Sequence, residues 1–151
     1  MADGVVIMVV EDDESMRKAI KRLIKSVGLS VEDFASAEDF LGTDRSPDAA
    51  CLILDVQLPG MSGLELQRQL VASNCRIPII FISAHSDQQA RAQALAAGAV
   101  DLLQKPFSEK DLFTAINSAL VNQRVGAGDT SDQRRYQITR RRDTPIPKMQ
   151  R

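Results

Sequence analysis

Few residues of this chain belong to the types that usually announce a scaffold or an active site. There is no tryptophan, one tyrosine, one histidine and two cysteines, and aromatics make up only 4%. Cys51 and Cys75 cannot build a disulfide framework, and no CxxC motif or Cys/His cluster suggests zinc. His85, standing alone, makes a nucleophile–histidine–acid triad a poor fit. The longest apolar runs, at 5–10 and 77–82, are far too short to span a bilayer. No basic start leads into an apolar signal segment, so secretion is not expected and a reducing cytoplasm is. What remains is ordinary: 151 residues, 44% hydrophobic and 26% charged, enough for one domain.

The net charge of −1 conceals an asymmetry. Residues 126–151 hold seven basic side chains against three aspartates, a charge of +4, which leaves −5 on residues 1–125. The end of the chain is also poor in apolar groups and carries Pro145 and Pro147, so it cannot pack a domain of its own. We expect a folded body over 4–123 and a basic, disordered tail over 124–151. The tail would contact nucleic acid weakly if at all.

The body alternates two hydrophobic periods. Val5–Val10, Cys51–Leu54 and Ile79–Ile82 are continuous apolar runs of the kind buried on both faces of a sheet, with shorter strands at 31–34 and 100–104. Met16, Ala19, Ile20, Leu23, Ile24 and Val27 form one helical stripe that Gly28 is placed to end. Further helices are predicted over 36–41, 63–73 and 87–97, and after Ser108, with Pro59-Gly60 in a type II turn. Five strands alternating with five helices predict an α/β fold, a doubly wound parallel sheet covered on both faces.

In such folds ligands sit beyond the carboxyl ends of the strands. There this chain has Glu11, Asp12 and Asp13, then Asp55, then Ser83, then Lys105-Pro106. Crowded carboxylates repel, and a hard divalent cation such as Mg²⁺ relieves the repulsion through oxygen ligands. A metal-bound carboxylate beside a lysine and a hydroxyl is equipped to accept a phosphoryl group. Taken singly, these residues read as a helix N-terminus, a loop cap and surface charge. Jointly, at four strand ends, they read as a site. A haloacid-dehalogenase-type phosphatase would need a second acid at position 57, which is Gln. A flavodoxin-like phosphate loop would need Ser, Thr and Gly where this chain is acidic.

Val-Val-Glu11-Asp12-Asp13, Leu-Ile-Leu-Asp55-Val-Gln-Leu-Pro-Gly-Met-Ser-Gly, Phe-Ile-Ser83-Ala84 and Gln-Lys105-Pro106-Phe together resemble the receiver domain of two-component response regulators, over about residues 4–123. Receivers that precede helix-turn-helix output domains are the nearest in kind. The resemblance implies a flavodoxin-like sheet of order 2-1-3-4-5. It implies that Asp55 takes a phosphoryl group from a sensor histidine kinase or a histidine phosphotransfer protein. Asp12 would hold Mg²⁺ directly, Glu11 through water, and the Gln57 backbone carbonyl would complete the protein ligands, with Asp13 outside the set. Ser83 would swing toward the phosphoryl group and Lys105 would pair with it, aimed by a cis peptide at Pro106. Such a protein is a switch and not a turnover enzyme, catalysing only its own phosphorylation and dephosphorylation. A homodimer is a family expectation.

Departures from the family pattern qualify this. Position 102 is Leu where an aromatic usually stands, so the usual ring movement is expected to be absent or muted, with Ser83 and the helix after it carrying the signal. Gln57 and His85 flank the expected water path to the phosphoryl group and are candidates for setting its hydrolysis. Arg17, Lys18, Lys21, Arg22 and Lys25 give the first helix a basic face, a candidate kinase-docking patch. Two outputs fit the sequence: a stand-alone receiver with a tail, or a transcriptional regulator whose DNA-binding part is missing or degenerate.

Overall fold

Val6–Val10, buried at every position, forms the first strand, β1, of a parallel sheet. A computed structural model describes residues 5–43, 49–84 and 88–127 of the chain. After β1 come α1 (Glu14–Ser26), β2 (Ser30–Phe34), α2 (Ala37–Leu41), β3 (Ala49–Asp55), α3 (Gly63–Ala72), β4 (Ile79–Ser83), α4 (Gln88–Ala96), β5 (Asp101–Gln104) and α5 (Glu109–Ala127). The strands lie in the order β2-β1-β3-β4-β5, all pairs parallel. Residues 1–120 form one compact unit and residues 121–151 a second, of which only the end of α5 is described. That helix runs past residue 123 to Ala127, because no proline or turn signal interrupts 121–125. The rest of the predicted tail lies outside the described residues.

Alternate strand residues face opposite layers, and each layer has its own core. Ile7, Val9, Cys51, Ile53, Ile80 and Ile82 pack against Ile20 and Ile24 of α1 and against Leu112, Ile116 and Ala119 of α5. Met8, Val10, Leu52, Leu54 and Phe81 pack against Phe40 of α2, Leu66 and Leu70 of α3, and Ala90 and Ala94 of α4. The stripe predicted for α1 is narrower than its sequence pattern: Ala19 and Val27 are exposed, while Met16, Ile20, Leu23 and Ile24 face the sheet. Ala19 lies off that face, and Val27 is already the C-cap residue.

Local chemistry sets the helix starts on the site side. The Asp13 side chain caps α1 by accepting from Met16 N at 3.0 Å, and Ser36 caps α2 through Asp39 N. Ser62 and Glu65 form a capping box at α3, and the Ser108 hydroxyl accepts from Asp111 N at the start of α5. Gly28, Gly60 and Gly98 have positive φ, and Gly60 occupies the turn position where a side chain would be strained.

A candidate phosphoryl-accepting site at the strand ends

Val10 of β1 is in register with Leu54 of β3, so Glu11 and Asp55 leave the sheet side by side. Asp55 is also paired with Ile82 of β4, which puts Ser83 next in line, and Ser83 is paired with Gln104 of β5, which puts Lys105 after it. Four loops therefore converge because four parallel strands end at one level. The Ser83 carbonyl accepts from Lys105 N at 2.7 Å, tying the last two loops together.

The Lys105 ammonium bridges two acids, 2.8 Å from Glu11 Oε1 and 3.0 Å from Asp55 Oδ2. Glu11 and Asp55 are almost fully buried and Asp12 is exposed. Backbone donors complete the two buried carboxylates: Asp13 N lies 3.0 Å from Glu11 Oε2 and Gln57 N 2.9 Å from Asp55 Oδ1. Burial pushes the Glu11 carboxyl above its ordinary value, and the nearby Asp55 adds to the rise. The hydrogen bonds from Lys105 and Asp13 only partly offset this. Burial alone would lower Lys105, but its bonds and attraction to Glu11 and Asp55 outweigh that and hold the ammonium above its usual range. The cation is thus firmly charged between two acids.

Carboxylate oxygens of Glu11, Asp12 and Asp55 all lie within 4.8 Å of one another. An all-oxygen set with a surplus of negative charge fits a hard divalent ion and not zinc. Of the other residues singled out from the sequence, Ser83 is buried at the end of β4 and Gln57 is exposed beside Asp55. The Lys105–Pro106 peptide is cis. Leu102 sits in the core against the layer containing Phe81, Ala90 and Ala94, and its carbonyl accepts from Arg91 Nη1 at 2.8 Å. His85 lies outside the described residues.

The basic face of α1 is largely paired. Arg17 and Lys21 share Asp33 of β2, and Lys18 meets Glu14 at 3.0 Å. Two contributors to the site were not recognised in the sequence. Arg17 reaches back to the Glu11 carbonyl at 2.8 Å. Gly63 lies so close to the Asp55 carbonyl that a Cβ would collide with it. The Ser62–Glu65 spacing was a readable signal for the start of α3; the inward turn of Arg17 had none.

A doubly wound sheet whose strand ends carry an acidic cluster, a buried aspartate and a lysine defines the class. The sequence matches the response regulator receiver domain family over residues 7–117, and the chain belongs to it. It is 49% identical to response regulator protein TodT of Pseudomonas putida over 115 residues, covering 76% of this chain and 51% of TodT. It is 41% identical to transcriptional regulatory protein TdiR of Thauera aromatica over 130 residues, covering 86% of this chain and 57% of TdiR. The solved structure of the response regulator StyR superposes with a TM-score of 0.71 at 37% identity, covering 92% of this chain and 78% of that one. The chain spans about half the length of the curated relatives it matches.

Proposed function

We propose that this receiver is a phosphorylation-dependent switch in which Asp55 accepts a phosphoryl group from a sensor histidine kinase or a histidine phosphotransfer protein. The observation that carries this is the buried Asp55 carboxylate, held between Gln57 N and the Lys105 ammonium beside Glu11 and Asp12. An Asp55 carboxylate oxygen attacks phosphorus, the bond from phosphorus to the donor imidazole nitrogen breaks, and that nitrogen leaves with the electron pair. Asp12 and Asp55 would hold Mg²⁺ directly, with the Gln57 carbonyl, and Glu11 would support it through water. When bound, Mg²⁺ supplies positive charge that offsets the carboxylates and the phosphoryl oxygens. Lys105 neutralises the buried acids at rest and pairs with the phosphoryl group afterwards. The Ser83 hydroxyl reports its arrival, and Gln57 and His85 set how fast water removes it. The protein turns over no other substrate, and its place is the cytoplasm.

Two outputs remain to be weighed. TdiR is named a transcriptional regulatory protein, and the matched segment covers only 51% of TodT and 57% of TdiR. That favours a receiver that controls transcription over one that acts alone.

The test is incubation with a small phosphodonor, with Mg²⁺ or with a chelator, followed by intact mass. Wild type with Mg²⁺ gains one phosphoryl group, and Asp55→Asn and the chelated sample gain none. A wild type that stays unmodified overturns the proposal.

A further inference from the structure

Arg17 sits in the first turns of α1, and its backbone N–H makes a helical bond to Asp13 O at 2.9 Å. Its side chain, only 16% exposed, turns away from solvent and bridges two elements. Nη1 donates to the Glu11 carbonyl at 2.8 Å, and Nε donates to Asp33 Oδ2 at 2.9 Å. Phe34, the residue after Asp33, accepts from Glu11 N at 3.1 Å. The end of β2 therefore holds both backbone polar groups of Glu11, its N–H directly and its C=O through Arg17. A planar guanidinium holds its donors at a fixed spacing that suits a carbonyl and a carboxylate from different elements, whereas the lysine ammonium is a point charge on a flexible stem without that fixed geometry. The residue so fixed is one of the three whose carboxylates cluster.

We propose that Arg17, braced by Asp33, is a positioning residue that fixes Glu11 and Asp12 against Asp55 and so sets the affinity of the cluster for Mg²⁺. This rests on the assignment of that cluster to Mg²⁺. The ion demands near-octahedral geometry at short bonds, so small displacements of its ligands weaken it. Groups that orient ligands without touching the metal commonly contribute 10–100-fold to affinity. Arg17 is thereby withdrawn from the docking face of α1.

The sign of the effect separates positioning from charge. A guanidinium acting only through its field repels a cation, so removing it would tighten binding, and Lys in its place would change nothing. Positioning predicts the reverse. The test titrates MgCl₂ alone into the full chain by calorimetry, for wild type, Arg17→Ala, Arg17→Lys, Asp33→Asn and the exposed-pair control Lys18→Ala, each first shown to be folded by thermal melting. We expect Arg17→Ala and Arg17→Lys to weaken Mg²⁺ about tenfold. Asp33→Asn is expected to weaken it by a smaller factor, and Lys18→Ala to stay within about twofold of wild type. Arg17 and Asp33 variants that all bind within about twofold of wild type overturn the proposal, as does tighter binding by Arg17→Ala. If Arg17→Ala does not fold, Arg17→Lys and Asp33→Asn decide alone. A wild type that binds no Mg²⁺ removes the metal assignment itself, a result distinct from failure of the positioning role.

Discussion

Gly63 has no room for a side chain: a Cβ would collide with the Asp55 carbonyl and stand 3.1 Å from Val56 Cα, both rigid backbone. Gly63→Ala is therefore expected to lower stability by about 1–3 kcal/mol, read as a shift of the urea midpoint, and to slow phosphorylation by displacing Asp55. Lys105 supports a different prediction. Removing its ammonium leaves Glu11 and Asp55 buried side by side, at a cost of about 3–5 kcal/mol for a broken buried pair. Lys105→Met should melt lower than wild type, and saturating Mg²⁺ should raise its melting temperature more than it raises that of wild type. Equal shifts would contradict the picture of a cation relieving carboxylate repulsion. The acids, the serine and the lysine were legible because they follow recognisable strands. Arg17 and Gly63 were not, since a side chain that turns inward and a collision that never happens leave no periodic trace.

Among the elements, α3 starts just after the loop that carries Gln57, and its capping box fixes where that loop ends. Ser62→Ala removes the cap acceptor for Glu65 N and should destabilise the chain by about 1 kcal/mol, measured by denaturant unfolding. β5 is an edge strand, and Arg91 of α4 covers one of its carbonyls, that of Leu102. Arg91→Ala is expected to speed amide exchange in β5 with little change in β1 or β3; uniform exchange across the sheet would argue against a local clamp. The strands were readable from their β-branched runs, and the order of the sheet followed from the family resemblance. Helix faces were less readable. Met16, Ala19, Ile20, Leu23, Ile24 and Val27 count alike in a pattern, yet the sheet covers only four of them.

For the molecule as a whole, two cores on opposite faces hold the sheet, and among the described residues the buried charged side chains, Glu11 and Asp55, lie at one rim. Asp33 ties β2 to α1 there. Burial would raise its carboxyl, but Lys21 and Arg17 outweigh burial and hold it below its ordinary value. A lowered folded value means that its stabilisation is complete above the unfolded value of about 3.9 and disappears as pH falls through the folded one. Asp33→Asn should therefore melt below wild type near neutrality, and the gap should start to narrow below about pH 4 and close once the pH is under the lowered folded value. A gap that persists there would show that the carboxylate charge is not its source. The charge asymmetry between body and tail was legible from composition alone, but the tail's basic residues have no assigned partner, and 128–151 lie outside the described residues. The central claim is that Asp55 is the phosphoryl acceptor, and mapping the modified residue tests it most directly. After reaction with a small phosphodonor and Mg²⁺, borohydride reduces an aspartyl phosphate to homoserine with release of phosphate, and peptide sequencing by mass should find that conversion at Asp55 alone. A phosphoryl group on any other residue, or one that persists in Asp55→Asn, would contradict it.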